Sequence, residues 1–131
     1  MPESAFSQAE NSFFAWLDER CIFLRRLEKE AAAIAQAESN SERYHALMLQ
    51  KALSLANLAD EAAPYLEALS PAMTKAARER FARFARNAEQ AIDLDSIFYM
   101  SALLYPEDYK EGQPNDLEAF LAALRATRRQ A

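Results

Sequence analysis

The chain has 131 residues, a formal net charge of −5 and 51% hydrophobic content, enough for one domain, residues 1–131, to bury a core without disulfides or metal. Its one glycine and one cysteine leave no material for a phosphate-cradling glycine loop or an intramolecular disulfide. The acidic balance argues against nucleic acid and anionic membranes as partners, and no apolar run approaches the roughly 20 residues of a membrane-spanning helix.

The opening Met1-Pro2-Glu3-Ser4 lacks the basic and apolar segments of a secretory signal. Cys21 sits in an apolar segment, as a small core hydrophobe would. Both fit a reduced, cytoplasmic setting. Ser7-Gln8-Ala9-Glu10 has the form of a capping box, in which the serine oxygen accepts a backbone N–H three residues on and the glutamate reaches back. It predicts a first helix from about Ser7 to Ala37, ~45 Å long at 1.5 Å per residue. Its apolar face is Phe6, Phe13, Leu17, Leu24, Leu27, Ala31 and Ile34, with Glu10 and Arg20 as interruptions.

A second box, Ser39-Asn40-Ser41-Glu42, predicts a tight turn into helix two. There Tyr44, Met48, Leu55, Leu58, Ala62, Tyr65 and Leu69 form a seven-residue repeat whose missing member is Lys51. Pro64 is expected to kink this helix near Ala63, because proline has no N–H and crowds the carbonyl four residues back.

Ser70-Pro71 predicts the start of helix three, with serine as cap and proline at the first helical position. Pro106 is expected to stop that helix at about Tyr105. Over its first part Ala77, Phe81, Phe84, Ala85, Ala88 and Ile92 fall largely opposite Lys75, Arg78, Arg83 and Arg86, which reads as a core face and a solvated face. From Leu94 to Tyr105 apolar residues surround the helix, so it needs cover on more than one side. Pro106 to Pro114, with Gly112, is the one substantial loop. Asn115-Asp116-Leu117-Glu118 then opens a short last helix whose face is Leu117, Phe120, Leu121 and Leu124. Arg125, Arg128 and Arg129 suit the negative end of its dipole. The expected fold is all-α: an up-and-down antiparallel bundle of three long helices and a short C-terminal fourth.

Candidate chemistry is sparse. Glu42 and His45 have the Glu-x-x-His spacing of half a ferritin-like di-iron site, but a second histidine is missing. His45 alone would serve a regulatory bundle that binds a small ligand or accepts phosphate, and this is the alternative reading. However, the Ala-Leu-Met-Leu-Gln-Lys segment after His45 lacks the glycine-rich stretch expected beside a phosphotransfer histidine. Asp93 and Asp95, two apart on a helix, point to different sides. No catalytic, metal or cofactor residue is assigned.

What remains is a surplus of large apolar residues in helix one and around Phe98, more than one amphipathic stripe can bury. Either the last helix and its loop cover them or they form an interface. The acidic, cysteine-poor, helical composition resembles that of bacterial export chaperones, including those of flagellar and type III secretion systems, and this resemblance implies a groove that holds amphipathic helices. The expected function is therefore a non-enzymatic adaptor or chaperone-like protein. It would bind a partner helix, or a second copy of itself, through Trp16, Phe23, Phe98, Tyr99 and Tyr105.

Overall fold

A computed structural model describes the backbone of residues 3–37 and 41–130, with side chains over 8–36 and 41–127. The described residues fold into helices α1 (Glu3–Ala37), α2 (Ser41–Ala56), α3 (Leu58–Leu66), α4 (Pro71–Asp93), α5 (Ile97–Ala102) and α6 (Asp116–Gln130). Contacts between named residues fix their directions. Glu28 and Glu30 of α1 meet Lys51 and Arg43 of α2 respectively, so the two helices run antiparallel. His45 of α2 meets Asp95 just after α4, whereas Leu66 of α3 meets Thr74 near the start of α4. Arg25 and Asp18 of α1 meet Glu118 and Arg125 of α6, so α6 runs back along α1. The result is the all-α up-and-down bundle that the periodicity implies.

One connected apolar core joins these elements. Phe13, Leu17, Leu24, Leu27, Ala31 and Ile34 of α1 are all buried, in the steps of three and four that keep a helical stripe on one side. The expected face of α6 is buried, and so is most of that of α4, including Phe81 and Phe84, with Ala85 and Ile92 half-buried at its edges. Phe81 sits at the centre of an aromatic group, with ring centroids 6.1 Å from Trp16, 6.4 Å from Phe13 and 5.6 Å from Phe120. Such offset and edge contacts add to the area term that drives burial.

One of the three expected boxes is a described cap. At Asn115 the reciprocal bonds are present: Glu118 N–H donates to Asn115 Oδ1 at 2.9 Å, and Asn115 N–H donates to Glu118 Oε1 at 2.8 Å. The Ser39 box falls partly outside the described residues, and α2 begins at Ser41. The Ser7 box does not start α1, because the helix already runs from Glu3. Ser70 caps α4, accepting from Met73 N–H at 3.3 Å, with Pro71 following it as expected.

Two longer helices are divided differently from their sequence reading. Helix two is interrupted at Asn57 rather than at Ala63, and α3 continues through Pro64 to Leu66. Asparagine has low helix propensity, and the bonds Asn57 N–H to Leu53 O at 3.1 Å and Glu61 N–H to Asn57 O at 3.0 Å carry the chain across the break. Helix three ends at Asp93, not Tyr105. Ser96 N–H bonds Ala91 O at 3.1 Å and Asp95 N–H bonds Ile92 O at 2.9 Å, the paired bonds of a Schellman ending, with Asp95 left-handed at φ 47°. Ser96 then caps α5, accepting from Tyr99 N–H at 3.1 Å. Aspartate tolerates the left-handed region and serine favours caps, so adjacent short polar residues turn the chain where hydrophobicity alone reads as continuous helix.

Candidate functional site

The turn at Asp95 decides what the chain shows to its surroundings. It swings α5 off the axis of α4 and leaves Leu94, Phe98 and Tyr99 outside the core, at 59%, 73% and 53% exposure. The Phe98 and Tyr99 rings meet edge to face, with centroids 5.6 Å apart. Together the three side chains form an apolar ledge. Beside it lies a cleft of about 480 Å³ that Leu94 and Tyr99 line together with Asn87, Gln90, Leu104 and Asp116. The expectation that this segment would be covered on more than one side therefore fails on its outer side: α6 packs along α1 instead. Burial raises the Asp116 carboxyl above its ordinary range, against the opposing influence of Arg80.

A polar network holds the ledge in place from behind. Lys51, the gap in the apolar repeat of helix two, is fully buried. Its ammonium lies 2.9 Å from Glu28 Oε2, donates to Ser101 O at 3.0 Å and sits 5.0 Å from the centroid of the Tyr105 ring. Ser101 belongs to the last turn of α5, whose carbonyls have no helical partner, so the cation satisfies one of them and opposes the negative helix end. Burial pulls the Lys51 ammonium below the usual lysine range, while the Glu28 carboxylate acts to retain the proton.

Tyr105 extends the network. Its hydroxyl donates to Glu28 Oε1 at 2.6 Å and accepts from Arg25 Nη1 at 3.2 Å. Burial, then that bond to Glu28, raises its hydroxyl well above the usual tyrosine range. Arg25 also grips Glu118 through two bonds, at 3.0 and 2.6 Å, and the backbone of Gln113 at 3.2 Å. Leu104, left-handed at φ 76°, accepts from Asp116 N–H at 2.9 Å. The connection from α5 to α6, which includes Gly112 at φ 92°, is thus tied to α1 by charge-assisted bonds.

The five expected contact residues are not gathered on one surface. Trp16 is half-buried and stacked on Tyr65 at 5.4 Å, inside the aromatic group. Phe23 is half-buried beneath the Arg20 guanidinium, 4.9 Å from its ring centroid. Tyr105 is committed to Glu28. Phe98 and Tyr99 remain as the ledge, and Leu94 joins them although sequence reasoning did not single it out.

His45 Nε2 lies 2.8 Å from Asp95 Oδ1, and Glu42 is exposed on its helix. Among the described residues no group of three His, Cys, Asp or Glu side chains is placed to hold a metal ion. The amine of Lys51 is buried and held by Glu28 and the Ser101 carbonyl. Arg125 pairs with Asp18 rather than only with its own helix end. No described helix is long and apolar enough to cross a membrane. Comparison with protein-family models, curated proteins and solved structures gave no match.

Proposed function

We propose that this chain is a non-enzymatic helical adaptor, chaperone-like in that it works by contact, and that the Leu94–Phe98–Tyr99 ledge is its contact surface in the cytoplasm. The observation that carries this reading is the exposure of three adjacent large apolar side chains on a segment firmly tied down from behind. Scattered exposed hydrophobics are ordinary, whereas a contiguous group beside a cleft supports the contact reading. A rigid presentation lowers the entropy lost on association.

The test compares the wild type with Phe98→Ser/Tyr99→Ser by light scattering and native mass spectrometry after gentle purification from its own cells. The wild type is expected as a stoichiometric assembly with another protein chain or with itself. The variant is expected to keep its helical circular dichroism and lose that assembly. A wild type that is monomeric and without companion overturns the reading.

A further inference from the structure

The outer face of α4 carries a charge order that its own helix does not favour. Lys75 and Arg78 lie in its first half, Arg86 follows, and Glu89 and Asp93 close it. A helix prefers acidic residues at its N-terminus and basic ones at its C-terminus, yet α4 has no acidic residue in its first turn and no basic one in its last. These five residues are exposed, and none of them makes an ion pair among the described residues. At 3.6 residues per turn they share one face with Glu79 and Ala82, and Arg83 lies on its flank.

We infer that this face pairs antiparallel with the same face of a second copy about a two-fold axis near Ala82–Arg83. The inference goes beyond the contact reading above and stands on a different face. In an isologous pairing each contact occurs twice, so a face with one sign at each end is complementary to itself only when turned round. The register that sets Lys75 against Asp93 of the partner subunit also sets Arg78 against its Glu89 and Glu79 against its Arg86. Ala82, small and near the centre, lets the helices approach. The like charges of Arg83 and its copy lie on the flank, where they stay in water.

The same register sets the C-terminal end of α4 beside the start of the partner's α4. Leu94 lies about 100° round the helix from the Lys75–Asp93 line, on the same flank as Arg83, so the ledge stays outside the paired face. Exposed ion pairs contribute little singly and fix register more than affinity, so the charges choose the orientation of the pair.

Two charge-swapped full-length variants test this. Lys75→Glu/Arg78→Glu makes both ends of the face acidic, and Glu89→Lys/Asp93→Lys makes both ends basic. In sedimentation equilibrium at low salt the wild type is expected to dimerise and each variant alone to weaken by at least about tenfold. Their equimolar mixture is expected to restore a one-to-one dimer, seen as the mixed mass in native mass spectrometry, because every swapped pair is again opposite in sign. High salt is expected to reduce the wild-type and mixed dimers. A wild-type monomer, or a mixture that stays monomeric, overturns the pairing. A dimer untouched by both swaps but lost in Phe98→Ser/Tyr99→Ser also overturns it, while leaving the ledge as a contact surface. Loss of heparin binding in the acidic variant with no change in mass would assign the basic half to a polyanion instead.

Discussion

Lys51 and Glu28 form an ion pair across α1 and α2 at 2.9 Å, with the lysine fully buried and the glutamate side chain 17% exposed. Taking two charges out of water costs several kcal/mol each, and their attraction roughly offsets that cost only while both are present. Lys51→Ala is therefore expected to destabilise the chain by about 3–5 kcal/mol, because it strands the Glu28 carboxylate and removes the donor of the Ser101 carbonyl. Lys51→Met with Glu28→Leu is expected to recover most of that loss. Urea unfolding of the wild type, the single and the double variant measures both. A single variant as stable as the wild type would show that the pair is not buried.

That pair also marks how far the sequence carries the fold. The seven-residue repeat places position 51 on an apolar face, and the structure buries it there. The identity of its partner depends on the register between α1 and α2, which periodicity within either helix does not specify. Asn115 and Ser70 were legible as starts because their bonds are local, made within three residues. The ending at Asp93 was not legible, because hydrophobicity runs on through Leu94, Ile97 and Phe98 while the stop depends on one residue entering the left-handed region. The ledge was legible only as a surplus. Which aromatics it contains follows from that turn, and hence Trp16 and Phe23 fell elsewhere.

Glu118 gives the acid limb of stability its sign. Hydrogen bonds from Arg25, partly opposed by burial, hold its carboxyl below the ordinary value of 4.5. As pH falls below that value the unfolded chain takes up the proton first, so the contribution present at neutral pH is lost as pH drops through the folded value. Glu118→Gln is expected to be less stable than the wild type at pH 7 and to show a shallower decline toward pH 3. Urea midpoints measured across that range decide it. Parallel curves would show that the Arg25 contact does not persist in solution.

Cys21 is buried between α1 and its neighbours, and burial, with the charges of Glu118 and Asp18 adding, pushes its thiol up to about 12. Thiolate is the reactive form, so the native protein is expected to label with a disulfide reagent at pH 8 at least ~100-fold more slowly than the urea-unfolded chain. The raised value also means the unfolded thiol ionises first above the ordinary 9.0, and stability is expected to fall from there toward pH 12. Cys21→Ser removes the thiol's share of that decline and leaves the share of Tyr105, whose hydroxyl is raised too. Rapid labelling of the native state would place the thiol at the surface.

Asp95, at φ 47°, holds the turn that separates α5 from α4, and its carboxylate meets His45 at 2.8 Å. The backbone need and the side-chain contact can be separated by substitution. Glycine enters the left-handed region without steric cost, whereas a residue with a Cβ loses roughly 1 kcal/mol there unless a short polar side chain compensates. The His45 contact is largely exposed and contributes little by comparison. Thermal midpoints are therefore expected to fall in the order Asp95→Gly, wild type close to Asp95→Asn, then Asp95→Ala, with a few degrees between the extremes. An alanine variant as stable as the glycine one would mean that α4 continues as regular helix through Leu94. In that case Phe98 and Tyr99 would rotate away from the positions that make the ledge, so the same series bears on the contact surface as well as on the turn.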